Sequence, residues 1–115
     1  MADLTIWHNP RCSKSRTTLG LLEEHGADAE VVKYLEDAPT RAELEAVLVK
    51  LGTDDPMAIV RTGEDRWKEL GVDKGDREAV LDALAANPVL IERPIVIKGD
   101  RAVIGRPPEN VLALL

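Results

Sequence analysis

The stretch Leu4-Thr5-Ile6-Trp7-His8-Asn9-Pro10-Arg11-Cys12-Ser13-Lys14-Ser15-Arg16 decides the fold. Leu4 to His8 is rich in strand-favouring side chains, and Asn9-Pro10 is a turn signal that stops it. From Ser15 onward Leu19 and Leu22 recur at helical spacing, and Gly26 is the residue that most easily closes a helix in the left-handed conformation. A strand therefore runs through a short turn into a helix, with the chain's single cysteine, Cys12, at the junction.

Glu30 to Leu35 reads as a second strand. The order strand, helix, strand implies a parallel pair with a right-handed crossover. Asp37-Ala38-Pro39 ends that strand, and Thr40-Arg41-Ala42-Glu43 is a capping-box pattern. Leu44, Val47, Leu48 and Leu51 follow at helical spacing, which predicts a helix ending near Gly52. Pro56 to Ala86 carries further helical patterning, so residues from about 40 to 87 read as a helical insertion. Ile95-Val96-Ile97 and Ala102-Val103-Ile104 flank Lys98-Gly99-Asp100-Arg101, the pattern of a hairpin. Pro107 or Pro108 then opens a last helix, Glu109 to Leu115. The predicted architecture is α/β, with a mixed sheet of about four strands and the helical insertion between strands 2 and 3; that element order is thioredoxin-like. Residues 1–115 are read as one domain.

At 115 residues the chain is the size of one ordinary domain. It is 44% hydrophobic and 31% charged, a composition that excludes extensive disorder, and no apolar run is long enough to span a membrane. The N-terminal residues lack the basic and apolar regions of an export signal, and a lone cysteine suits a reducing compartment. A cytoplasmic monomer is expected. The net charge of −6 argues against nucleic acid or an anionic membrane as a general partner. Any anion site must be built locally.

The chemistry centres on Cys12. Backbone N–H groups and the macrodipole at a helix N-terminus stabilise negative charge, and Arg11, Lys14 and Arg16 add positive charge nearby. The thiolate is thereby favoured, and it is the form that attacks electrophiles. A cysteine can also be a small core residue, but the context Pro-Arg-Cys-Ser-Lys-Ser is too polar and turn-like for packing. A second redox cysteine would be expected two residues further on, at the position of Ser15. Any redox turnover must then use an outside thiol. Ser15 either hydrogen-bonds the thiolate or caps the helix. His8 is either a charged imidazole that lowers the thiol pKa or an inert residue at a strand end. His25, late in the helix, reads as a surface charge favoured by the dipole.

Arg61, Arg93 and Arg106 stand beside turns, and guanidinium groups bind tetrahedral oxyanions through paired N–H donors. Arg93 and Arg106 each immediately precede a proline, at opposite ends of the predicted hairpin. In a thioredoxin-like fold Pro94 would be cis and face the cysteine; from sequence alone trans is the default. One cysteine and two separated histidines make no metal-ligand cluster.

His8 to Arg16, Tyr34-Leu35-Glu36, Glu92-Arg93-Pro94-Ile95-Val96 and Ile104-Gly105-Arg106-Pro107-Pro108-Glu109 together resemble the glutaredoxin-coupled arsenate reductase family. The resemblance covers nearly the whole chain, with four motifs in the same order. It implies that the Cys12 thiol attacks arsenate, that glutathione adds as co-substrate, that glutaredoxin resolves the product, and that arsenite is released. No bound cofactor is implied. By the same resemblance Cys12 is the nucleophile, His8 and Ser15 tune or hold the thiolate, and Arg61, Arg93 and Arg106 bind the oxyanion, Arg61 matching mainly by its position in the chain. Plasmid-type resistance enzymes resemble Cys-Gly-Thr-Ser at the cysteine, where this chain has Cys12-Ser13-Lys14-Ser15, so it is more similar to the shorter, chromosomal branch. Two other functions fit the residues: a thiol oxidoreductase acting on glutathione mixed disulfides, and an RNA-polymerase-binding regulator of the same fold. Ser15 in place of a second switch cysteine argues against the latter.

Overall fold

A computed structural model describes residues 4–115. Four strands form one sheet in the order β2-β1-β3-β4: β1 Leu4–Trp7, β2 Ala29–Val32, β3 Ile95–Lys98 and β4 Arg101–Ile104. β1 is central; it runs parallel to β2, with Ile6 opposite Val31, and antiparallel to β3, with Ile6 opposite Val96. β3 and β4 form the predicted hairpin, in register from Ile95–Ile104 to Lys98–Arg101. Gly99 has φ +59°, the sign that the first central residue of a two-residue hairpin turn requires.

Helix α1, Ser13–Glu24, joins β1 to β2. Its apolar stripe and a C-terminal 3₁₀ segment, Pro108–Leu114, pack on the sheet, burying Leu4, Ile6, Leu22, Val96, Val111 and Leu114 in one cluster. The alternation in β1 that sends Leu4 and Ile6 into this cluster is the period-two pattern of a pleated strand.

The described residues fall into two compact units. The first holds the sheet, α1 and the final 3₁₀ segment, and is made of the chain up to Asp37 and again from Arg93 to Leu115. The second, Ala38–Glu92, is helical: α2 Arg41–Leu51, α3 Asp65–Leu70 and α4 Arg77–Ala86, with 3₁₀ turns at Pro56–Ile59 and Pro88–Leu90. The capping box forms as predicted, with Thr40 Oγ1 accepting from the Glu43 N–H at 3.2 Å and Glu43 accepting from the Thr40 N–H at 3.0 Å; α2 ends at Gly52 with φ +85°. Arg41 bridges Glu78 and Asp82, and Arg77 reaches Glu45, which ties α2 to α4.

Three local expectations differ from the structure. β2 ends at Val32, not Leu35, because Lys33 to Asp37 form a turn in which the Lys33 carbonyl accepts from the N–H groups of Glu36 and Asp37. α1 begins at Ser13, two residues before the predicted start, with Cys12 itself in the extended conformation of an N-cap. The last helix is 3₁₀ and starts at Pro108, after Pro107 at the cap.

Candidate active site

The loop between β1 and α1 is held by Asn9. Its carbonyl accepts from the Cys12 N–H at 3.0 Å, and its side-chain oxygen accepts from the Arg11 N–H at 3.0 Å. Its own N–H donates to Ser15 Oγ at 3.0 Å. Arg16 folds back and donates to the Pro10 carbonyl at 2.8 Å. The turn from Asn9 to Ser15 is thereby closed from both ends, and Cys12 is fixed as the residue that opens the helix.

Cys12 is partly exposed and makes no disulfide. Burial pushes its thiol pKa up, and that is the largest single influence; the opposing ones together outweigh it and hold the pKa below the ordinary thiol value. These are the Ser15 N–H, the charge of Arg93, the Lys14 N–H and a hydrogen bond from Arg93. The sulfur closes no cap hydrogen bond of the kind a serine or aspartate makes. It meets the N–H dipoles of the first turn, as expected for an anion at a helix N-terminus. The leading positive charge acting on it is that of Arg93, eighty-one positions on.

Topology explains why Arg93 is there. Trp7 at the end of β1 pairs with Ile95 at the start of β3, so the residues just before β3 lie at the end of the sheet where the Cys12 loop begins. The β3–β4 ladder is extended by the Gly105 N–H, which donates to the Pro94 carbonyl at 2.9 Å, and this brings Arg93 and Arg106 to that same end. The Arg93–Pro94 bond is cis, and so is Arg106–Pro107.

Ser15 and His8 are both buried. The His8 Nδ1 and the Ser15 Oγ are 2.6 Å apart. Burial, then Lys33 and Arg16, push the His8 pKa below its ordinary value, which favours the neutral imidazole. The Ser15 side chain caps no helix; it joins His8 to the Asn9 backbone. Arg61 belongs to the Ala38–Glu92 unit, where its guanidinium pairs with Glu64 at 3.1 Å and donates to the Val89 carbonyl at 3.3 Å. His25 is the C-cap of α1, and its Nδ1 lies 2.9 Å from the Leu21 carbonyl oxygen.

Two supporting residues escaped the sequence reading. Thr18, fully buried, donates to the Lys14 carbonyl at 2.8 Å. Gly105 leaves room for its neighbours: a Cβ there would lie 2.8 Å from both Pro94 Cγ and Thr18 Oγ1. The signal for Gly105 was its place between a strand end and Arg106-Pro107; nothing in the sequence marks Thr18 apart from its helical position. Among the described residues no group of three His, Cys, Asp or Glu side chains is placed to hold a metal, and no helix is long and apolar enough to cross a membrane.

A thioredoxin-like sheet carrying one thiol at the start of its first helix, with an arginine from the edge of the β-hairpin facing the sulfur, defines the class. The chain belongs to the ArsC family, whose model matches residues 7–114. It is similar to the arsenate reductase of Neisseria meningitidis serogroup A, 49% identical with all of both chains covered, and to that of Haemophilus influenzae, 46% identical with 96% of this chain and 97% of the relative covered. The solved arsenate reductase of Vibrio cholerae superposes with a TM-score of 0.93 at 45% identity, covering the whole of both chains.

Proposed function

We propose that this chain is a glutathione- and glutaredoxin-dependent arsenate reductase working in the cytoplasm as a monomer. The observation that carries the reading is Cys12 at the N-terminus of α1, its thiol pKa lowered by the first-turn N–H groups and by Arg93. The similarity to arsenate reductases over the full chain supports the choice of oxyanion.

The Cys12 thiolate attacks arsenic(V), an S–As bond forms, and one arsenate oxygen leaves as water. Arg93 and Arg106 receive the charge on the remaining oxygens. Glutathione adds at arsenic with loss of a second oxygen as water. A glutaredoxin thiolate then attacks the glutathione sulfur, and the electron pair of the breaking S–As bond reduces arsenic(V) to arsenic(III). Hydrolysis of the remaining S–As bond releases arsenite and regenerates the Cys12 thiol. The outside thiols supply both electrons, as a chain with one cysteine requires. Ser15 and His8 hold the loop that aims the sulfur.

The test is NADPH oxidation by the purified chain with glutathione, glutathione reductase and glutaredoxin, with arsenate or a glutathionylated peptide as substrate. Arsenate-dependent turnover that vanishes in Cys12→Ser is expected. Turnover with the peptide alone would overturn the reading in favour of a mixed-disulfide reductase.

A further inference from the structure

The loop that carries Cys12 is also one wall of a cavity of about 300 Å³. Residues 8–11 form that wall, and Lys33, Leu35 and Glu36 form the other. Backbone hydrogen bonds fix both. The His8 N–H donates to the Val32 carbonyl at 2.8 Å, and the Lys33 carbonyl accepts from Glu36 and Asp37 at 3.0 and 2.9 Å. Tyr34 is wholly buried, while Leu35 next to it is 43% exposed. The cavity is preformed, and its volume is that of a small-ligand site.

We propose that this cavity is the seat of glutathione, an inference that rests on reading the chain as a thiol-dependent reductase. Glutathione at neutral pH carries two carboxylates and one ammonium on a short peptide body. The cavity offers two cations, Arg11 and Lys33, one acid, Glu36, and the apolar surfaces of Pro10 and Leu35. Each charge on the ligand has an opposite in the lining. A simple inorganic anion would use the cations but be repelled by Glu36.

The position suits the chemistry. Arg11 immediately precedes Cys12, so the seat adjoins the nucleophile. β1 lies between β2 and β3 in the sheet, which puts the cavity on the β2 flank of the Cys12 loop and Arg93 on the β3 flank. Glutathione and the oxyanion then approach from opposite sides and do not compete for the same arginines.

S-methylglutathione tests this on the intact chain, since it has every charge of glutathione and no thiol to react. In an amide-shift titration, saturable changes centred on residues 8–11 and 33–36 are expected. Lys33→Gln should raise the dissociation constant by roughly tenfold, the loss of one charge-assisted hydrogen bond. Shifts centred elsewhere, no saturable shifts, or an unchanged constant in Lys33→Gln would overturn the proposal. So would inorganic phosphate binding at these residues and tightening in Glu36→Gln while S-methylglutathione fails to bind. Because the ligand cannot react, this outcome is independent of arsenate turnover; absence of arsenate reduction with free glutathione defeats the reading of the reaction instead.

Discussion

His8 Nδ1 lies 2.6 Å from Ser15 Oγ, both side chains buried, and the same hydroxyl accepts from the Asn9 N–H at 3.0 Å. One serine thus satisfies two polar groups on the strand side of the loop from its place in the first turn of α1. Ser15→Ala should leave the imidazole nitrogen and the Asn9 N–H without that partner, at a cost of about 1–3 kcal/mol. Urea unfolding of the variant should show a lower midpoint with an unchanged slope; an unchanged midpoint would mean that the hydroxyl holds nothing together.

The second prediction concerns the sulfur. Alkylation of Cys12 followed against pH should rise with a midpoint below the ordinary thiol value of about 8.5. In Arg93→Ala the midpoint should move upward, because a charge and a hydrogen bond that favour the thiolate are gone. The same variant should lose roughly 10- to 100-fold in kcat/KM for arsenate, the equivalent of one charged hydrogen bond. A midpoint that stays in place in Arg93→Ala would remove the arginine from the site.

Gly105→Ala places a methyl group 2.8 Å from Pro94 Cγ and Thr18 Oγ1. Neither neighbour is the free end of a flexible chain, so the strands or α1 must shift, at about 1–3 kcal/mol. Thr18→Ala in the Gly105→Ala background should recover part of that loss, and the two substitutions should be non-additive in thermal unfolding. Additivity would show that the close approach is not what Gly105 is for.

The lowered pKa of His8 fixes the sign of a pH effect. In the unfolded chain the imidazole takes up a proton near pH 6.5, whereas in the folded chain it does so only at lower pH. Between those values the unfolded state binds more protons, so stability falls as pH drops from about 6.5. The His8→Gln variant should lose this part of the pH dependence in unfolding measured between pH 7 and 5.

Much of this arrangement was legible in advance, and the reason differs from part to part. β1, the hairpin and the capping box at Thr40 and Glu43 depend on local propensity and short spacing, which a sequence carries directly. The start of α1 was placed two residues late because Ser13 and Lys14 carry no apolar signal; they are helical because the Asn9 carbonyl and Ser15 close the turn beneath them. The Cys12 environment was legible in direction but not in agent: nearby basic residues were expected to supply the charge, yet the β1–β3 register brings in Arg93. His8 and Ser15 were each assigned two possible roles. Their mutual hydrogen bond depends on how a strand end meets a helix turn, a relationship across seven positions that periodicity does not encode.

The central place of β1 has a consequence for how the molecule is made. Its partner β3 and the arginine that faces Cys12 lie after residue 92, so on a ribosome the thiol emerges long before either. A nascent chain that has not yet been extended past the hairpin carries the cysteine without the guanidinium that activates it. Such a chain also has one edge of β1 open, and its thiol has only the first-turn N–H groups of α1 to favour the thiolate.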